Sequence, residues 1–225
     1  MMMTTTDAII INPPQPATAS VIWLHGLGAN GHDFEPIVTV LPKDITRYTR
    51  FIFPHAPSRP ITINGGMIMP GWYDVFGMDL TVQQDVQGIR ESEQIVCRYL
   101  AQEIEQGIVT QRIVLAGFSQ GGAIALQTGL RYPQPLAGIM VLSSYLPLIN
   151  TVAQERQIAN QITPIFMAHG QQDPVIALLH AQRSRAYLEE LGYRVEWHDY
   201  PMAHQVNDAE ISDIGYWLQT SFEGK

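Results

Sequence analysis

The segment Gly117-Phe118-Ser119-Gln120-Gly121 has the G-x-S-x-G spacing that presents a serine hydroxyl on a sharp turn between a strand and a helix. Such a serine takes strained backbone angles, and the residues two positions to either side must lack bulk. Gly117 and Gly121 meet that demand, and Gly122 and Ala123 let a helix begin close to a sheet. The apolar run at 113–116 reads as a strand and residues 120–130 read as a helix, so the motif stands in the context it requires. A helix N-terminus places backbone N–H groups beside the hydroxyl, where the negative charge of a tetrahedral intermediate would develop. The chemistry that follows is acyl transfer through a covalent serine intermediate. The bland alternative is a tight strand–helix turn that happens to contain serine.

A serine hydroxyl needs a base to take its proton, and the base needs an acid to orient it. In strand–turn–helix architectures of this kind the chain order is serine, then Asp or Glu, then His. Of the histidines after Ser119, His204 lies in a loop that follows the strand-like run 194–200 and precedes a helix. His198 falls within that strand and His180 within a helix, where packing or surface roles are expected. Asp173 follows the run at 164–168, again at the C-terminal end of a strand, where open α/β sheets place their chemistry. Its bland reading is an N-cap for the next helix, with Pro174 at the first helical position. Asp199 and Asp208 are the alternative acids, and His169 is expected to hydrogen-bond within its own loop.

The segment 26–31 contains a G-x-G-x-x-G match after a strand. A dinucleotide site would need an acidic residue at the end of the next strand to hold the ribose, but that strand runs into Pro54-His55-Ala56-Pro57. The glycines suit another task, bringing a backbone amide close to a reacting carbonyl. Leu27 and Gln120 are the expected oxyanion-hole donors, one from the loop after the early strand and one from the residue after the nucleophile. His25 is expected to fix the loop or to pack beneath it. No cofactor is expected. No metal is expected either: His25 and His32 lack metal-ligand spacing and the single Cys97 allows no CxxC pair.

These residues require parallel strands that end along one rim. Apolar runs at 21–25, 51–53, 112–116, 137–142, 164–168 and 194–200 read as buried strands. Val82, Val86, Ile89, Val96, Leu100 and Ile104 recur at helical spacing, and 120–131, 176–191 and 208–220 read as further helices, with Pro133 and Gly192 helping to end two of them. The alternation predicts an α/β fold: a mostly parallel twisted sheet with helices on both faces. Residues 8–11 and 20–25 read as the arms of an N-terminal hairpin. The segment 58–82 breaks the alternation with Pro60, Gly65, Gly66, Pro70 and Gly71, and a loop of that length in a compact domain is usually functional or mobile. Its Met67, Met69 and Trp72 are candidates to line an apolar substrate groove; the bland reading packs them onto the domain.

At 225 residues the chain fits one domain, 1–225. The net charge of −8 argues against a nucleic-acid partner, which needs a basic face. No apolar run approaches the roughly 20 residues of a membrane helix. Residues 1–7 carry no basic region and no long apolar segment, so no secretory signal is expected. One cysteine excludes an intrachain disulfide and fits a reducing, cytoplasmic compartment. The expected partner is a small-molecule ester or thioester, including lipid-like ones; a homodimer is left open.

Taken together, the segments Leu24-His25-Gly26-Leu27-Gly28, Gly31-His32-Asp33-Phe34, Phe53-Pro54-His55-Ala56-Pro57, Ile63-Asn64-Gly65-Gly66-Met67, Trp72-Tyr73-Asp74, Leu142-Ser143-Ser144-Tyr145-Leu146-Pro147 and Met202-Ala203-His204, with the two motifs around Ser119 and Asp173, resemble the acyl-protein thioesterase/carboxylesterase (phospholipase/carboxylesterase) family over about residues 20–218. The resemblance implies the α/β-hydrolase fold, a Ser119–His204–Asp173 triad, an oxyanion hole at Leu27 and Gln120, and an acyl groove from the loop around 65–72. Asn30 stands where many eukaryotic relatives carry Asp, and Ser144-Tyr145 where they carry a Cys-Trp pair. His204-Gln205 is closer to the bacterial esterase branch. The departures leave the triad intact and weaken the case for lipidated protein as the natural substrate.

Overall fold

Residues 8–77 and 83–223 of the computed structural model are described. Val82, expected to open a helix, and residues 1–7 lie outside them. In chain order the strands are β1 (Ala8–Ile11), β2 (Ala19–Leu24), β3 (Thr49–Pro54), β4 (Ser58–Ile61), β5 (Met67–Pro70), β6 (Ile113–Phe118), β7 (Gly138–Leu142), β8 (Ile165–Gly170) and β9 (Val195–Tyr200). The helices are α1 (Lys43–Thr46), α2 (Val86–Glu105), α3 (Gln120–Arg131), α4 (Ile149–Glu155), α5 (Leu178–Glu190) and α6 (Asp208–Phe222). The main sheet has the order β1-β3-β2-β6-β7-β8-β9, parallel except for β1.

The pleat of β2 shows why helices are needed on both faces. Val21 and Trp23 point to one side and pack with Ile214, Trp217 and Leu218 of α6. Ile22 and Leu24 point to the other and pack with Ile89 and Leu100 of α2 and Ile124 of α3. Every residue of β2 is buried, as a central parallel strand covered on both faces must be. This is the α/β architecture expected from the alternation, a mostly parallel sheet with helices on both faces.

The N-terminal hairpin does not form. β1 lies antiparallel to β3, with Ile11 opposite Phe51, because both edges of β2 are taken by β3 and β6. The partly exposed β1 is left with the outer edge of the sheet. The segment read as one long loop contains the β4–β5 hairpin, with Ile61 opposite Met67. Among the described residues no helix is long and apolar enough to cross a membrane.

What the sheet contributes to the site is a shared rim. β6, β8 and β9 run parallel and lie within four consecutive positions of the sheet, so loops leaving their C-terminal ends emerge side by side.

Candidate active site

Ser119 sits between the last residue of β6 and the first of α3, with φ 55° and ψ −122°. That backbone costs a non-glycine residue about 1–3 kcal/mol, so its surroundings must hold it there. They do so from β7 and the turn after it: Ser119 N–H donates to the Leu142 carbonyl at 2.8 Å, and Ser144 Oγ donates to the Ser119 carbonyl at 2.6 Å. The flanking glycines are sterically required. A Cβ at Gly121 would come 2.3 Å from the Leu24 carbonyl oxygen, and one at Gly117 would come 2.3 Å from the Gly121 backbone. The helix therefore starts against the sheet, and Ser119 is pushed up at its end.

His204 lies in the loop between β9 and α6, its ring tilted against Phe118 at 4.8 Å between centroids. Its Nε2 is 2.9 Å from Ser119 Oγ and its Nδ1 is 2.6 Å from Asp173 Oδ2. Asp173 lies just beyond β8, with a side chain fully removed from solvent. Its two oxygens divide the work. Oδ1 accepts the N–H groups of Val175 and Ile176 at 2.8 and 2.9 Å, and Oδ2 faces His204. Asp173 does not cap a helix, because α5 starts only at Leu178. Burial opposes its ionisation most strongly, but the His204 hydrogen bond and the two backbone N–H groups outweigh it, and the carboxyl titrates below its ordinary 3.8.

The other candidates sit elsewhere. Asp199 accepts from Gln171 and Trp197, His198 pairs with Glu196, and Asp208 follows the Asn207 cap of α6. His169, fully buried at the end of β8, has its Nε2 2.8 Å from the Ile176 carbonyl and 3.4 Å from Asp173 Oδ2. Its pKa is lowered, chiefly by burial, so a neutral ring braces the acid's loop.

Leu27 and Gln120 flank the serine, and among the described residues neither backbone N–H is paired with an acceptor. The loop after β2 is held by hydrogen bonds to other parts of the chain. Gly28 N–H donates to the Pro70 carbonyl at 2.8 Å. His25 accepts the Ala56 N–H on Nε2 at 3.0 Å, so its Nδ1 carries the proton and donates to the Gly26 carbonyl at 2.7 Å. That carbonyl belongs to the same planar peptide as the Leu27 N–H. In a trans peptide the two groups point in opposite directions, so tying down the oxygen aims the N–H. Burial pushes the His25 pKa down to about 4, which keeps the ring neutral and this tautomer in place at neutral pH.

The groove differs from the sequence expectation. Trp72 is fully buried, its indole N–H donating to the His25 carbonyl at 2.9 Å. It therefore supports the loop from beneath and presents no surface to a substrate. Met67 is 63% exposed on β5 and Met69 Sδ accepts from Asn64, and neither borders the cavity at Ser119. That cavity, of about 220 Å³, is walled instead by Ile63, Tyr73, Val75, Tyr145 and Ile176, with Leu27 and Gln120 at its mouth. The Pro70 carbonyl at the end of β5 is occupied with the Gly28 N–H, so the hairpin is tied to the loop after β2.

Two supporting roles, of the Ser144 hydroxyl and the Gln120 side chain, are not visible in the sequence. Ser144 clamps the nucleophile's carbonyl. The Gln120 side chain accepts from Trp72 N–H at 2.7 Å and donates to the Tyr73 carbonyl at 2.6 Å, tying the helix start to the groove wall. Among the described residues no group of three or more His, Cys, Asp or Glu side chains could hold a metal ion.

The sequence profile of the phospholipase/carboxylesterase family matches residues 5–222. Acyl-protein thioesterase 1 of Neurospora crassa is 43% identical over 210 residues, covering 89% of this chain and 86% of that protein. Acyl-protein thioesterase 1 of Gibberella zeae is 40% identical over 217 residues, covering 92% of each. Among solved structures, Arabidopsis thaliana SOBER1 superposes with a TM-score of 0.86 at 30% identity, over 91% of this chain and 99% of that one. Zea mays acyl-protein thioesterase 2 does so with 0.82 at 27% identity, over 96% and 99%.

Proposed function

The chain belongs to the phospholipase/carboxylesterase family of serine hydrolases with the α/β-hydrolase fold, and from that premise we propose that it is a carboxylesterase cleaving short- to medium-chain esters, and acyl thioesters or lysophospholipids, through an acyl-enzyme on Ser119. The observation that carries the reading is the unbroken chain from Asp173 Oδ2 to His204 Nδ1 at 2.6 Å and from His204 Nε2 to Ser119 Oγ at 2.9 Å. His204 takes the serine proton as Oγ attacks the acyl carbon. The Leu27 and Gln120 N–H groups receive the oxyanion. Each such donor is worth about 3–4 kcal/mol of barrier, comparable to several decades of rate when both act. His204 then passes its proton to the leaving alcohol or thiol, and water repeats the sequence on the acyl-enzyme. Asp173 holds the imidazole with its proton on Nδ1, so that Nε2 is the free base.

A small cavity supports the chain-length part of the proposal: about 220 Å³ lies below the usual range for sites that enclose larger ligands. The second reading, an acyl-protein thioesterase proper, is supported by the names of the fungal relatives. A cytoplasmic location is also part of the proposal, supported by the lone, partly buried Cys97.

A panel of p-nitrophenyl esters from acetate to palmitate, run beside an acyl-peptide thioester, tests both readings. Turnover that peaks at short to medium chains is expected. Thioester turnover well above that of every ester would favour the second reading, and a folded protein inert on all of them would refute both.

A further inference from the structure

The cavity at Ser119 ends on a pair of tyrosines. Tyr73 and Tyr145 are both buried, and their hydroxyls lie 2.9 Å apart in one hydrogen bond. A second cavity of about 420 Å³, nearly twice the first, is bordered by Tyr145 and not by Tyr73. Tyr145 borders both, and also a small void between Tyr73 and Gln84. The second cavity is of mixed character: Val86, Leu146, Leu148 and Ile149 give it apolar walls, and Asn150, Thr151, His180 and Arg183 are among its polar ones.

Resting on the reading that the Ser119 cavity takes the acyl chain, we propose that the Tyr73–Tyr145 pair is the end-stop that sets acyl-chain length, with Tyr145 closing off a second, partly apolar chamber that a longer chain would otherwise enter. The partition is held in place from both sides. Ser143 and Leu148, on either side of Tyr145, both adopt left-handed backbone, with φ 47° at each. Between them Ser144 is bonded to Ser119, and Leu146 N–H donates to Ser184 Oγ at 2.8 Å; Leu148 N–H itself reaches Gln84 Oε1 at 2.8 Å. Tyr73 is tied through its carbonyl to the Gln120 side chain at 2.6 Å. Neither ring can swing aside without breaking a buried contact. Burial also pushes the Tyr145 phenol up to about 12 and the Tyr73 phenol well above its ordinary value, so the pair stays a neutral O–H···O bond across the working pH range.

The test compares kcat/KM for p-nitrophenyl hexanoate and dodecanoate. Each methylene newly buried adds about fourfold to transition-state binding. In Tyr145→Ala the dodecanoate-to-hexanoate ratio is therefore expected to rise by at least about tenfold, and Tyr145→Leu, the milder truncation, moves it in the same direction. Tyr145→Phe keeps the ring and so keeps the wild-type ratio. Val86 borders the second cavity from an exposed position at the start of α2 and lies away from the Ser119 cavity. Adding Val86→Trp to Tyr145→Ala fills the opened chamber and returns the ratio towards wild type. An unmoved ratio in truncated variants that keep a cooperative unfolding transition overturns the end-stop, as does a rise that Val86→Trp leaves untouched. Absence of any ester turnover by the wild type would overturn the esterase reading instead, so the two failures are told apart.

Discussion

Replacing Ser119 with alanine is expected to lower kcat on p-nitrophenyl esters by about 10⁶-fold, with KM little changed. The size follows from how the groups are linked. The His204 base is aimed at one oxygen, 2.9 Å from its Nε2, and without that oxygen His204 has no proton to take and Asp173 orients a base with nothing to act on. What remains is the binding of the substrate and the pull of the Leu27 and Gln120 N–H groups on its carbonyl, worth about 10³–10⁴-fold over water. The loss should not be a folding defect. Alanine keeps the Cβ already accommodated at φ 55°, and the clamps on residue 119 go through its backbone N–H and carbonyl. Kinetics beside a thermal melt check this. A melt like the wild type's with activity lost is the expected pair, and retained turnover would remove Ser119 from the chemistry.

Asp173→Asn should cost about 10⁴-fold in kcat, and the two oxygens of the carboxylate explain why so small a change does so much. Oδ1 accepts two backbone N–H groups, from Val175 and Ile176. An asparagine will place its carbonyl oxygen there, which turns its NH₂ towards His204 Nδ1. The imidazole must then accept on Nδ1 and carry its proton on Nε2, the nitrogen that should be taking one from serine. The structural effect should depend on pH. The Asp173 carboxyl titrates below 3.8 in the folded protein, so its ionised form contributes stability above that value and loses the contribution as pH falls through its lowered folded pKa. The stability difference between wild type and variant is therefore largest near neutral pH and shrinks below about pH 4. Stopped kinetics for kcat, and denaturant midpoints at neutral and acid pH, measure the two effects separately. A gap that widened on acidification would contradict the charge assignment.

The rim geometry was legible because it is local. Ser119, Asp173 and His204 each follow a strand whose apolar run can be read from a handful of residues, and parallel strands put their C-terminal ends on one side. The paths of β6 to β9 and of α3 and α6 follow from periodicity in the same way. The parts that were misread depend on residues far apart in the chain. Nothing near residues 8–11 says that their partner is β3 instead of β2; that is settled by β2 already having two parallel neighbours. Trp72 lies in a Gly- and Pro-rich stretch with no period, and the group that draws its indole inward is the carbonyl of His25, 47 positions away. The Gln120 side chain reaches Trp72 and Tyr73 across similar distances. A sequence pattern shows that a residue is apolar or polar, but which distant backbone group it satisfies is known only once the sheet order is.

A nucleophile raised on a strained turn and served by one imidazole should mark itself covalently. Intact and peptide-level mass spectrometry after treatment with an alkyl fluorophosphonate measures this without any assumption about the natural substrate. A single phosphonyl adduct on the peptide carrying Ser119, slowed in His204→Ala and absent in Ser119→Ala, is the predicted result. An adduct on a different residue, or an unlabelled protein that still cleaves esters, would contradict it.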